Sequence, residues 1–127
     1  MRDLQSNIGV VAAVAPATLT ATNTSAAIDL RGFDSACVVI NTGAIGGAGN
    51  FTPKLTESDT SDGTYTDVAA ADLVGEFPSA LAAASVYKVG YIGNKRFIQT
   101  VLTLNSGTNI AASAVVVLGN PDQAPVA

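Results

Sequence analysis

Two runs of this chain are apolar at consecutive rather than alternate positions: Ala36-Cys37-Val38-Val39-Ile40, and Ile110 to Leu118, interrupted only by Ser113. Successive side chains of a β-strand point to opposite faces, so runs of this kind read as central strands covered on both sides. The rest of the chain follows the same grammar: short Val/Ile/Thr-rich segments punctuated by Gly, Asn and Asp. No segment sustains a helical period beyond about two turns. The best helical candidate is Ala-rich Ser79 to Ser85, just after Pro78. About seven or eight mostly antiparallel strands at this spacing predict an all-β fold, a β-sandwich or jelly-roll-like barrel with little helix. Residues 1–127 read as a single domain with an N-terminal arm over 1–7 and an extended C-terminal tail over 119–127.

Individual strands carry their own signatures. Ile8 to Val14 reads as the first, followed by Pro16 and a Thr-rich stretch through Thr24. Ala26, Ile28 and Leu30 then alternate with Ala27, Asp29 and Arg31, the period of a half-buried strand. The glycines between Asn41 and Asn50 read as a flexible loop, because a phosphate cradle needs a following helix and a Lys. Phe51, Leu55 and Glu57 share one strand face, with Lys54 and Thr56 on the other. Pro53 cannot donate a ladder hydrogen bond and places that strand at an edge or makes it irregular. Glu57 to Asp67 is the most polar segment, with a turn at Asp62-Gly63. Its four carboxylates do not have the spacing of an EF-hand loop, and no spacing supports a glycosidase pair. No metal, cofactor or small-molecule substrate is expected.

Residues 86–98, VYKVGYIGNKRFI, are two β-rich runs joined by Gly93-Asn94. A two-residue type II′ hairpin pairs Ile92 with Lys95, Tyr91 with Arg96, Gly90 with Phe97 and Val89 with Ile98. One face then carries Tyr87, Val89, Tyr91, Ile98, Leu102 and Leu104, the expected core side, with Arg96 and Thr100 among them. The other carries Val86, Lys88, Ile92, Lys95, Phe97, Gln99 and Val101, too apolar for simple solvent exposure and hence a candidate partner surface. The candidate interface residues are Phe97, Ile92, Lys88 and Val101, with Pro121 and Pro125 in the C-terminal segment.

Composition argues against chemistry. The chain has no His, no Trp and one Cys; it is 48% hydrophobic and 13% charged, with a net charge of −4. Ordinary soluble domains carry about 25% charged residues. Cys37 has no mate and no activating His, so it reads as a small hydrophobe. Lys95-Arg96 is the only basic pair, far from the clustered basic face of a nucleic-acid binder. No apolar run approaches the roughly 20 residues of a membrane span. Residues 8–15 imitate a signal-peptide core, but Asp3 cancels Arg2 and leaves no positive n-region.

DLRGFDSACVVINTG (29–43), KLTESDTSDGTYTDV (54–68) and VYKVGYIGNKRFI (86–98) together resemble small proteins of tailed bacteriophages encoded among the head-morphogenesis genes. The resemblance runs from about residue 3 to Ala124-Pro125-Val126, on motifs that describe strands and turns rather than a chemical site. It implies a non-enzymatic virion component, a minor capsid or head-decoration protein. The resemblance further implies a protein made in the bacterial host cytoplasm that binds the major capsid protein and copies of itself, as a trimer. It supplies no catalytic residues. Self-association is expected through the Phe97 face or an edge strand. A head–tail connector, tail-terminator or tail-tube protein is the nearest alternative. A carbohydrate-binding sandwich is the next, weakened by the lack of Trp.

Overall fold

The computed structural model describes residues 5–121. A single 3-10 turn at Gln5–Asn7 leads into β1 (Gly9–Leu19), β2 (Asn23–Thr24), β3 (Ile28–Asp29), β4 (Phe33–Gly46) and β5 (Asn50–Ser58). β6 (Thr66–Asp67), a second 3-10 turn (Ala70–Asp72), β7 (Leu73–Val74), β8 (Val86–Tyr91), β9 (Phe97–Ser106) and β10 (Asn109–Pro121) follow through the rest of the described residues. Two antiparallel sheets result, one ordered β1-β10-β4-β8-β7 and the other β2-β9-β5-β6, with β3 also on β9. The protein is an all-β sandwich, as the strand pattern predicts. Among the described residues no helix is long and apolar enough to cross a membrane.

The two doubly apolar runs are the hydrogen-bonded centre of the first sheet, with β10 between β1 and β4, and β4 between β10 and β8. Their inward residues, Ala36, Val38 and Ile40 on β4 and Ala112, Ala114, Val116 and Leu118 on β10, are buried. They meet Phe51, Leu55, Ile98 and Leu102 from the facing sheet. Each such side chain contributes roughly 1.5–3 kcal/mol by leaving water. On the other side Cys37, Val39, Val115 and Val117 point outward and stay half-exposed, so among the described residues no second layer buries them as the core buries the inward set.

Several local expectations are corrected. The Gly93-Asn94 hairpin does not form. Tyr91 pairs with Ala36 and Leu73, whereas Phe97 pairs with Ser58 and Asp29. Residues 92–96 are therefore a corner carrying the chain from one sheet to the other. Ser79 to Ser85 is not helical, because its backbone is committed to the strands beside it. Leu81 N–H donates to Phe51 O and Ala84 N–H to Gly43 O, both at 2.9 Å. Thr42 Oγ1 donates to Ala82 O at 2.6 Å and accepts from Ser85 N–H at 2.9 Å. The Gly-rich segment is mostly strand, since β4 runs on to Gly46 and only Gly47-Ala48-Gly49 turns the chain. β1 passes through Pro16 to Leu19, tolerating it at the sheet edge where its register against β10 shifts. β10 continues through Gly119 to Pro121, which pairs with Phe33, so the last strand outlasts its expected stop at Leu118.

Pro53 sits where its missing N–H predicts. β6 reaches only Thr56 and Glu57, so no strand pairs with β5 on the Pro53 side, where residues 79–81 pass instead. Phe51 and Leu55 point into the core, while Lys54 points out.

Candidate interaction surfaces

The inter-sheet corner is organised around Tyr91. Alternation along β8 turns its ring inward, 4% exposed. Its hydroxyl donates to Glu57 Oε1 on β5 at 2.7 Å and accepts from Lys95 N–H at 3.1 Å. One phenol thus ties both sheets to the corner. Gly93 is needed there because a Cβ would run into the Tyr91 ring. Burial, reinforced by the hydrogen bond to Glu57, pushes the Tyr91 phenol well above its ordinary range.

Beside this corner lies a cleft of about 430 Å³ between residues 30–36 and 91–96. Phe33, Ala36 and Tyr91 line its apolar side; Arg31, Asp34, Lys95 and Arg96 line its polar side. Two of those charges are already engaged. Arg96 makes a bidentate pair with Asp29, 3.0 and 2.8 Å, and Lys95 Nζ lies 3.1 Å from Asp59. The Arg96 guanidinium holds the Asp29 carboxyl below its ordinary value. General acid–base chemistry wants a group tuned toward the working pH, and Tyr91 is displaced away from it.

The carboxylates of 57–67 are dispersed: Glu57 faces Tyr91, Asp59 faces Lys95, and Asp67 pairs with Lys54 at 3.0 Å. Among the described residues no three His, Cys, Asp or Glu gather as metal ligands.

The residues singled out from sequence as a partner surface do not form one patch. Because 86–98 is a corner, Lys88 and Ile92 go with the first sheet and Phe97 and Val101 with the second. Ile92 is 63% exposed, whereas Val101 is 8% exposed beside Lys54 and Thr24. Phe97 is half-buried with the Arg96 guanidinium 4.9 Å from its ring centroid, a cation–π contact. Pro121 is half-buried at the end of β10, and Pro125 lies outside the described residues. Sequence reasoning missed the outward side of β1, β10, β4 and β7. Its signal was present in the doubly apolar runs, which were read as covered on both faces.

No protein-family model matches the chain. No curated protein matches it either. Among solved structures it is similar to the SPBc2 prophage-derived protein YomS, with a TM-score of 0.50 and 12% identity over 87% of this chain and 93% of that one. A subunit of Bacillus endospore appendages, disulfide-linked pili, aligns over 94% of this chain and 95% of that one at 12% identity, with a TM-score of 0.46. The infectious bursal disease virus protein VP2 of a subviral particle aligns over 91% of this chain and 33% of that one, at 10% identity and a TM-score of 0.46. What the chain has in common with YomS at this identity is the fold.

Proposed function

We propose that this chain is a non-enzymatic structural protein of a tailed-phage virion, a minor capsid or head-decoration protein that binds and stabilises the head shell as an oligomer. The observation that carries the reading is the end-to-end match of its sandwich to a prophage-derived protein, 87% of one chain against 93% of the other. The motifs at 29–43, 54–68 and 86–98 point the same way. So does the physical character of the surface: a cleft in which Lys95 and Arg96 are already paired, and an outward sheet face poor in charge. Such a surface loses little on desolvation, and binding to an assembled shell stabilises that shell by mass action.

The test is electron microscopy of virions made with and without the protein, from the phage genome that encodes it. Loss of surface density on otherwise intact heads is the expected result. Intact heads of unchanged profile, or heads lacking tails, overturn the decoration role.

A further inference from the structure

The outer faces of the two sheets differ in kind. On β9 and β5 the outward positions are mostly polar, Gln99, Thr103, Thr52 and Lys54 with the buried Thr56 and Ser58, and Phe97 and Val101 are the apolar exceptions. On the β1-β10-β4-β8-β7 sheet the register puts Val10, Val117, Val115, Cys37, Val39 and Val74 outward together. Lys88 is the one charged residue at an outward position of those strands. Five large hydrophobic side chains are exposed among the described residues. Val10, Val74 and Val86, at 59%, 58% and 68% exposed, lie on this face, and Ile92 directly follows β8 at its rim.

We propose that this face is where two copies of the chain meet, sheet against sheet. The inference takes the assembly role above as its setting and names one of its partners. Size decides what kind of contact it makes. Five strands about 4.8 Å apart and roughly six residues of about 3.3 Å give a face of ~480 Å² per copy. Two copies then bury on the order of 1,000 Å², the lower limit for a specific interface. The pair is therefore weak alone and firm only where many copies are held together.

Chemistry selects the occupant. Without carboxylates and with one lysine, the face offers nothing to nucleic acid or to a charged peptide. Its surface of Val, Ala, Cys and Gly, with Asn41 and Ser113 toward one end, suits a second sheet packed about 10 Å away, and a second copy supplies one. A two-fold axis through the β10–β4 seam sends the two Lys88 side chains to opposite rims, where their heads reach water while their stems cover apolar surface.

Cys37, half-buried near the centre of the face, is a native reporter. Sedimentation equilibrium and thiol labelling are run on the full chain from micromolar to millimolar concentration. Dimer is expected at the upper end, with Cys37 labelling slowed several-fold as it forms. Val86→Lys, at an exposed rim position that the fold does not need, and Val115→Lys, at the centre, weaken the dimer at least tenfold and abolish the protection. Gln99→Lys, outward on the other sheet, changes neither. A chain monomeric at millimolar concentration, labelling independent of concentration, or an equal effect of Gln99→Lys overturns the proposal. So does Cys37 protection that arises only when capsid protein is added to a monomeric chain. Particle binding by such a monomer leaves the virion role standing, whereas self-association without particle binding removes that role alone.

Discussion

Thr100 is fully buried on β9, and its Oγ1 is the one buried side-chain polar atom among the described residues without a hydrogen-bond partner. Its backbone is well served: N–H donates to Ser25 Oγ at 2.9 Å, and its carbonyl accepts from Ser25 N–H at 2.9 Å. The hydroxyl is the liability, since leaving a buried donor unmade costs about 1–3 kcal/mol. Val has nearly the same shape and no hydroxyl. Thr100→Val is expected to stabilise the protein by about 1 kcal/mol, seen as a rise of a few degrees in Tm. No rise, or a fall, shows that Oγ1 has a partner in solution. Sequence placed Thr100 on the core side of its strand by alternation alone. Its lack of a partner was not legible, because satisfaction depends on atoms distant along the chain.

The corner at residues 92–96 shows where local pattern stops and long-range competition begins. Two β-rich runs around Gly-Asn are as compatible with a corner between sheets as with a hairpin. What decides is that Tyr91 finds Ala36 on one side and Leu73 on the other, while Phe97 finds Ser58 and Asp29. The inward set Val89, Tyr91, Ile98 and Leu102 was legible all the same, because both sheets face one core and the period of two survives a change of sheet. The outward set was not, since a corner sends its two halves to opposite sides of the molecule. The corner also has a pH signature. The folded state holds the Tyr91 proton more tightly than the unfolded chain, whose phenol ionises near pH 10. Stability from this group is therefore full below about pH 10 and is lost above it, by at most about 1.4 kcal/mol per pH unit. Urea unfolding from pH 8 to 11 should show that decline in the native protein and a shallower one in Tyr91→Phe. At neutral pH the same variant costs about 1–2 kcal/mol by stranding Glu57 and the Lys95 N–H. Parallel pH profiles sink the assignment.

At the scale of the whole molecule, the first long strand pairs with the last: Gly9 lies opposite Leu118 and Leu19 opposite Ile110. The β1-β10-β4-β8-β7 sheet is completed only when the two ends of the described chain come together, a non-local pairing that makes folding slow. That same proximity makes the connectivity dispensable in principle. Ends this close can be joined, and the chain reopened where little is lost. Asp62-Gly63 is such a place: residues 59–64 are exposed, and β6 beyond them contributes a two-residue ladder. Reopening at Gly93-Asn94 instead cuts the corner that Tyr91 ties to both sheets. A permutant that links Pro121 to Gln5 through a short Gly/Ser linker and starts at Gly63 is expected to keep its β-rich circular dichroism, with a urea midpoint close to that of the parent. The permutant starting at Asn94 is expected to lose stability by several kcal/mol or fail to fold, since it frees the Tyr91–Lys95–Glu57 bonds and unpins both strands at once. Equal tolerance of the two cuts contradicts a corner that carries the joint between the sheets, and an unfolded Gly63 permutant contradicts the β1–β10 pairing itself.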